Sequence, residues 1–584
     1  MHRRSLLWIA ATLTAVAVLL AVSGGVRASV GGFRISARSP LGVSVAAVAV
    51  AAAWWALARR AKSVDSDLEL AWSSLDRHSA SFIVLVAALS GGVAAIFATN
   101  SASGADASGY LSQSLLWESR QFFHLNELSR SLIASDPWVT SPLGWRPTDI
   151  PGMQAPTYPP GLPWLMAAVP GTSNAGLVIV VSTAITVWAT GAVAKCLSGG
   201  MAGVLAAILI AISPVFLFQS VQPMSDVPVT AAWLACWALL VGPGSLRLRS
   251  GQAGTWDPGS ARILLAGLTC ALAVMIRPNL APLAVMPLFV IGLNLRRLVA
   301  FALPVALAGA ALMWLQWLWY GSPFRSGYGT ADELFAVANI GANASRYFWW
   351  TLATSPALLV APVGIAVFWR HAATPALAAF AALVVAAYLV YAVFDVWSYL
   401  RFLLPALAIA AAFTGAAITA GLSRMATRFR VMGALAVALA LTAHGVSQAR
   451  ALDTFRLADQ QRRVTQVAEF LAASLPVDAV IVAGEQSGSL RYYTGRSILR
   501  WDAASPEALS AAIEAVNEAG RPVVVALDAW EHEPFRARHG GLPAVSLEWP
   551  PAFEAGTSHR TRVWRLSDRE AFLRGERVAT MRQP

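Results

Sequence analysis

The chain has 584 residues, of which 57% are hydrophobic and only 13% charged, where a soluble domain carries roughly 25% charged residues. That composition excludes an ordinary soluble enzyme, and the abundance of apolar and aromatic residues excludes a disordered chain. The formal charge of +12 and the isoelectric point near 10.2 would suit a nucleic-acid partner, unless the charge has another cause.

Apolar stretches of about 17–25 residues are expected to cross a membrane, because a helix rises roughly 1.5 Å per residue against about 30 Å of hydrocarbon. In chain order such stretches lie near 5–25, 39–58, 80–98, 175–194, 201–219, 228–243, 262–276, 280–294, 298–320, 348–369, 374–394, 402–421 and 431–449. That is about thirteen, within a range of eleven to fourteen. The first follows a positive Met1-His2-Arg3-Arg4 start. Its apolar run is longer than the roughly 7–15 residues of a signal peptide, so it is expected to remain as an anchor. The runs at 228–243, 262–276 and 280–294 are short, and the pair around Arg277-Pro278-Asn279 reads equally as a re-entrant turn.

Lys and Arg in the short loops set orientation. With the N-terminus inside, the cytoplasmic loops carry 16 basic residues against five acidic ones, including Arg59, Arg60, Arg247, Arg249 and Arg430. The outer loops hold 10 basic and 9 acidic residues, and the segment 450–584 holds 17 of each. The excess charge is therefore a cytoplasmic feature of an inner-membrane protein, and nucleic acid is not an expected partner. One outer loop dissents, with Arg27, Arg34 and Arg38. Cys196, Cys236 and Cys270 fall in or at the inner ends of spans, so no external disulfide framework is expected.

Three segments lie outside the membrane. The loop 99–162 holds a stretch from Tyr110 to Ile133 with helical spacing and apolar Leu111, Leu115, Leu116, Phe122, Phe123 and Leu128, expected to lie along the membrane surface. The loop 321–347 follows Trp314, Trp317, Trp319 and Tyr320, an interfacial aromatic belt. From 451 to 584, helices at 457–474 and 505–519 alternate with strand-like runs at Val477–Ala483, Ser497–Trp501, Pro522–Leu527, Ala544–Leu547 and Thr561–Leu566. This alternation predicts a small extracytoplasmic α/β domain with a mostly parallel sheet. The chain thus divides into 1–79, with two added spans and a cytoplasmic loop, a membrane domain over 80–450, and the domain 451–584.

Unusual polar residues gather at outer span ends. Asp106 follows the third span in Gly104-Ala105-Asp106-Ala107-Ser108-Gly109-Tyr110, and Asp226 sits in Gln222-Pro223-Met224-Ser225-Asp226-Val227-Pro228. Either carboxylate could simply cap a helix, Asp226 with Pro228 near N1. Tyr158-Pro159-Pro160-Gly161 precedes the fourth span. Arg277-Pro278-Asn279, Gly321-Ser322-Pro323 through Ser326-Gly327-Tyr328-Gly329, Arg346, and Tyr399-Leu400-Arg401-Phe402 complete the set. An arginine at a span end can snorkel to the interface. Arg277 resists that account, because its flanks are almost wholly apolar and intramembrane charges are usually functional.

In their order and shared outward face, these motifs over residues 80–420 resemble the GT-C integral-membrane glycosyltransferases, of the protein O-mannosyltransferase, aminoarabinose transferase and RgtA-like branch. The resemblance implies a mainly α fold, a polytopic transmembrane helix bundle of GT-C type with a small C-terminal α/β domain. It also implies transfer of a sugar from a polyprenyl-phosphate donor in the lipid bilayer to a glycan, lipid or protein acceptor. Asp106 matches the first-loop carboxylate that serves as base or orients the acceptor, and Asp226 the second-loop acidic position. Tyr110, Tyr158, Arg277, Asn279, Tyr328, Arg346, Tyr399 and Arg401 are the residues expected to bind substrate and phosphate. The chain departs from the family where Ala107, not a second acid, follows Asp106, and where Tyr158 replaces a lysine before the paired prolines. These departures leave a divalent metal open as a cofactor rather than implied. A hydroxyl attacking an anomeric carbon needs a carboxylate to take its proton, whereas a phosphate leaving group needs cations and arginine forks suit it. A secondary transporter, with sites near the bilayer midplane and inverted repeats, and a non-catalytic membrane scaffold are the competing classes.

Overall fold

The computed structural model describes residues 2–23, 26–30, 33–37, 39–133, 136–169, 171, 175–241, 258–557 and 559–583. Arg38, and Arg247 and Arg249, which are expected in a cytoplasmic loop, lie outside them. Every apolar run folds as helix near its expected place, but fewer cross on length alone. Among the described residues six helices are long and apolar enough: Pro40–Arg60, Ser79–Phe97, Ala175–Ser198, Leu295–Tyr320, Trp397–Leu422 and Thr427–Ala451. Two bent pairs, Gly200–Ala211 with Pro214–Ser220 (65°) and Val337–Thr354 with Pro356–Val367 (114°), raise the number to eight.

The expected thirteen is not reached because prolines and polar residues cut the runs. Asp226–Val241, Ser260–Ile276, Pro278–Ile291 and Thr374–Leu389 are shorter helices. Pro278 begins the third of these, and Pro282 and Pro287 interrupt it, each removing a backbone donor. Both bends fall at a Ser-Pro step, where the residue before proline leaves the helical region. The two breaks meet, with the hydroxyls of Ser213 and Ser355 3.1 Å apart.

The core of the bundle is Ser79–Phe97, Ala175–Ser198, Gly200–Ala211, Asp226–Val241 and Leu404–Leu422. Trp233 and Trp237 are fully buried there against Phe380, with ring centroids 5.0 and 5.5 Å away. An N-terminal pair of helices, His2–Ser23 and Pro40–Arg60, is joined by an antiparallel hairpin of β1 (Val26–Val30) and β2 (Phe33–Ala37). An amphipathic helix, Val64–Arg77, follows; its buried Asp67 draws in Arg3 (2.7 Å) and Arg4 (3.3 Å).

The loop 99–162 folds differently from the single surface helix expected over Tyr110–Ile133. Its helix is Gly104–Glu118, six residues earlier, so Asp106 sits in its first turn. Arg120 has a positive φ of 55° and ends it. The chain then forms β3 (His124–Leu125), a short helix Glu127–Ser131, β4 (Trp145–Pro147) and β5 (Met153–Pro156), in sheet order β3-β5-β4.

The C-terminal segment is the expected α/β unit, built on β6 (Val480–Ala483), β7 (Ser497–Arg500), β8 (Val523–Asp528), β9 (Phe553–Ala555), β10 (Thr561–Arg565) and β11 (Met581–Gln583). Their order is β11-β9-β10-β8-β6-β7, with β6 parallel to β7 and β8, and β10 antiparallel to both its neighbours. Ala544–Leu547 is not a strand. Pro543 starts a 3-10 turn there and Leu547 takes a positive φ of 53°. Helices Leu457–Ser474 and Pro506–Glu518 cover the sheet as expected, and Ser487–Thr494 was not anticipated.

At the carboxyl ends of β6 and β8, Glu531 accepts from the N–H groups of Glu485 and Asp528, both at 2.9 Å. Burial, with the carboxylates of Asp528 and Glu485 nearby, still raises its pKa from 4.5 to about 7. The folded state therefore holds a proton that the unfolded chain has lost over this window, so stability falls as pH rises from about 4.5 through about 7. Glu531→Gln is expected to flatten that slope in unfolding midpoints followed across the same range; an unchanged slope would place the titration elsewhere.

Candidate active site

Four helix ends and two loops converge on one cavity of about 490 Å³. Asp106 and, one turn on, Tyr110 come from Gly104–Glu118. Asp226 opens Asp226–Val241, where the positive end of the helix dipole favours a carboxylate. Arg277 ends the helix Pro258–Ile276, and Asn279 begins the 3-10 segment after it. Tyr399 and Arg401 lie on the 3-10 turn Trp397–Leu403. Tyr158 and Tyr328 are carried by the two loops. All nine line the cavity. Arg346 does not; its guanidinium pairs with the exposed carboxylate of Asp395.

Two glycines let the loops approach this closely. A Cβ at Gly161 would lie 2.6 Å from the Ile276 nitrogen, against the helix end that presents Arg277. A Cβ at Gly327 would overlap the Thr157 carbonyl, so the 321–330 loop rests backbone to backbone on the Tyr158 segment. Tyr158 then packs between Tyr110 (4.7 Å) and Tyr328 (5.8 Å). Burial, followed by the Asp106 carboxylate, pushes the Tyr110 and Tyr158 phenols well above their ordinary range, so both remain protonated donors.

Two carboxylates and two guanidiniums form the floor. Arg277 Nη2 donates to Asp226 Oδ1 at 2.6 Å and to Ser225 Oγ at 3.3 Å. Arg401 Nη2 donates to Asp106 Oδ2 at 2.8 Å, and its Nε stands 3.8 Å from Asp226 Oδ2. Tyr110 donates to Ser225 at 2.9 Å. Both guanidiniums also lie over Phe402, each 5.4 Å from the ring. The two acids differ in access: the Asp226 side chain is 1% exposed and that of Asp106 30%. Arg277 Nη1 is buried and has no hydrogen-bond partner.

Residues that sequence reasoning passed over complete the walls or brace them from behind. Tyr388 accepts from Asn279 Nδ2 at 3.0 Å and stacks on Phe402. Tyr388 and Tyr391 each carry a hydroxyl at the end of an otherwise apolar run, which was the available signal. Asn343 of the Asn343-Ala344-Ser345 sequon is buried, donating to the carbonyls of Tyr388, Leu389 and Tyr391. Glu485, from the C-terminal unit, accepts from the Ala105 backbone N–H. Ser103, the N-cap of this helix, makes no side-chain bond, so Glu485 caps the Asp106 helix from another part of the chain. It lies at the carboxyl end of a parallel strand, where α/β sheets place their sites.

Neither a family model nor a curated protein sequence matches the chain. Solved structures do. The oligosaccharyltransferase of Archaeoglobus fulgidus, tethered to an acceptor peptide containing the NVT sequon, superimposes with a TM-score of 0.52 at 13% identity, covering 83% of this chain and 74% of that one. Its apo form gives 0.51 at 13% identity over the same shares. ArnT from Cupriavidus metallidurans, bound to undecaprenyl phosphate, gives 0.47 at 11% identity over 83% and 98%. The chain has the GT-C fold.

Within the GT-C bundle the carboxylates do not form a metal cage. Asp106 and Asp226 are each engaged by an arginine, and among the described residues no group of three His, Cys, Asp or Glu could hold an ion. The donor set is that of an ion-pair network. Removing the Asp226 charge leaves the buried Arg277 guanidinium without a carboxylate, and breaking a buried pair costs about 3–5 kcal/mol. Asp226→Asn is therefore expected to lower the unfolding midpoint sharply in detergent. Asp106→Asn, at a part-exposed pair worth about 1 kcal/mol or less, should shift it little. Equal shifts would contradict this division.

Proposed function

We propose that the protein is a glycosyltransferase of the cytoplasmic membrane. It moves a sugar from a polyprenyl-phosphate donor to an acceptor hydroxyl on a glycan, lipid or protein at the outer face. In this reading residues 80–450 form the catalytic membrane domain, 1–79 an addition, and 451–584 an extracytoplasmic domain. The N-terminus is cytoplasmic in this reading, which the 16 basic against five acidic residues in the loops it places inside support. The GT-C fold, shared with a glycan-transferring enzyme, supports the class. The observation that carries the reading is that Asp106, the accessible acid, shares one cavity with two arginines whose other carboxylate is sealed off. A transporter's midplane site and a scaffold's inert surface both leave that arrangement unexplained.

The geometry supports the following chemistry. Asp106 accepts the proton of the acceptor hydroxyl as its oxygen forms the new bond to the anomeric carbon. The bond from that carbon to the phosphate oxygen breaks, and the polyprenyl phosphate leaves with the electron pair, inverting the centre. Phosphate is a good leaving group and needs no general acid, only cations. Arg277, through its free Nη1, and Arg401 supply them. Asp226 holds both guanidiniums in place. Tyr158 and Tyr328 bracket the sugar. The apolar wall from Leu312, Trp319, Phe324 and Phe335 faces the donor's lipid end.

Transfer of radiolabelled sugar from polyprenyl-phosphate donors in membranes tests this. Asp106→Asn is expected to reduce transfer by about 10²–10⁴-fold, the usual contribution of a positioned base, at normal expression. Arg346→Gln should leave transfer near the wild-type rate. Full activity of Asp106→Asn would overturn the assignment.

A further inference from the structure

Strand β6 lies between β7 and β8, parallel to both, and all four of its residues are buried. Ligands of such sheets ordinarily sit beyond the carboxyl ends of the strands. Beyond β6 the chain instead meets the start of the Asp106 helix, Gly104–Glu118. The exit from the strand is already fixed. A Cβ at Gly484 would lie 2.3 Å from Glu531 Oε1 and 2.5 Å from Trp501 Nε1, so a side chain there would displace both. Glu485 N then donates to Glu531 Oε1 at 2.9 Å. Its backbone is held by one buried carboxylate while its own carboxylate accepts from Ala105 N–H.

That bond puts Glu485 over the first turn of the helix, where a Cβ on Gly104 would stand 3.5 Å from Glu485 Oε1. The Tyr493 hydroxyl takes Ala102 N–H at 2.9 Å. The donors on both sides of the N-cap residue Ser103, whose side chain makes no cap bond, therefore end on the C-terminal unit. Ser487 Oγ accepts from Leu143 N at 3.1 Å. Leu128, Ile133 and Val139 of the loop 99–162 share one core with Val480, Val482 and Leu499.

The carboxylate stands there at a cost. Glu485 is half-buried and faces the carboxylates of Asp528, Asp106 and Asp502. Burial first, then these like charges, hold its pKa above the ordinary 4.5. A neutral Ser or Asn caps an ordinary helix without that cost, and ionisable groups held against their surroundings cluster at functional sites. Glu485 does not line the cavity, so any effect on the reaction passes through Asp106. The Arg401 bond occupies an Asp106 oxygen. The Glu485 bond fixes the backbone one residue earlier and leaves both oxygens to chemistry.

We propose that Glu485 is a positioning residue of the transfer reaction: it anchors the first turn of Gly104–Glu118 and so sets where the Asp106 carboxylate stands against the acceptor hydroxyl. This role rests on Asp106 being the base. A base displaced by about 1 Å can lose roughly 10²-fold in rate. The C-terminal unit then takes part in catalysis without touching substrate.

The test pairs transfer with hydrogen exchange, both on the full chain. In membranes, with an undecaprenyl-phosphate-linked radiolabelled sugar as the varied donor, Glu485→Ala is expected to lower kcat at least about tenfold and leave KM within about twofold. Glu485→Gln, whose amide oxygen still accepts from Ala105, should recover kcat to within about threefold of the wild type. In detergent, Glu485→Ala should speed exchange of the amides from Gly104 to Ser108. Glu485→Met keeps the bulk and loses the acceptor, and reads the same bond if Glu485→Ala misfolds. Wild-type kcat in both variants beside an inactive Asp106→Asn would overturn the role and leave the transfer reading standing. A fully active Asp106→Asn would overturn that reading and the role with it. A loss carried by KM alone, no recovery in Glu485→Gln, or unaltered exchange would each overturn the role.

Discussion

The Asp226 carboxylate, buried between Arg277 and Arg401, is the interaction on which the rest of the site depends. A lone charge in such a place would be untenable, and each partner belongs to a different part of the chain. The ion pairs therefore fix three helix ends relative to one another, within a bundle whose apolar contacts are poorly directional. Packing brings the helices together, and the charges set where their ends stop. The same need for compensation accounts for the ring faces of Tyr388, Tyr399 and Phe402 around the guanidiniums, which complete their surroundings without adding charge.

Asp106 depends on that arrangement from the outside. Its helix is held by Arg401 from the membrane domain and capped by Glu485 from the C-terminal unit. Helix Ser487–Thr494 packs directly on it, with Tyr493 accepting from the Ala102 N–H at 2.9 Å. The C-terminal unit thus shapes the site through position. The loop glycines act in the same way: Gly161 and Gly327 remove side chains where backbones must touch, and Tyr158 and Tyr328 reach the cavity as a result.

Much of the fold was legible because hydrophobic length is local information. The apolar runs from 39–58 to 431–449 became helices near their expected bounds. The span count was not legible, since a run shows apolarity but not whether Ser213-Pro214 or Ser355-Pro356 turns the axis by 65° or 114°. Arg346 and Arg401 look alike in sequence, each beside aromatic residues at an outer span end. Only the fold shows that Asp395 takes one while Asp106 and Asp226 share the other. Glu485 was invisible for the opposite reason, because its target lies some 380 residues away in the chain. Ala544–Leu547 looked like a strand because propensity does not register the turn imposed by Pro543.

The resting site is electrically balanced, with two acids against two guanidiniums. A phosphate-bearing donor cannot enter such a site without changing its pairing. Arg277 has a free N–H to offer at once. Arg401 is shared between Asp106 and Asp226 and holds the more exposed acid by a single bond at 2.8 Å. On the proposed reading, a phosphate beside Arg401 competes with Asp106, and Asp226, sealed and doubly held, does not yield. Donor binding then frees the base when an acceptor hydroxyl needs it, and before the donor arrives Asp106 stays paired. The unequal burial of the two aspartates gives one network both a fixed anchor and a releasable base.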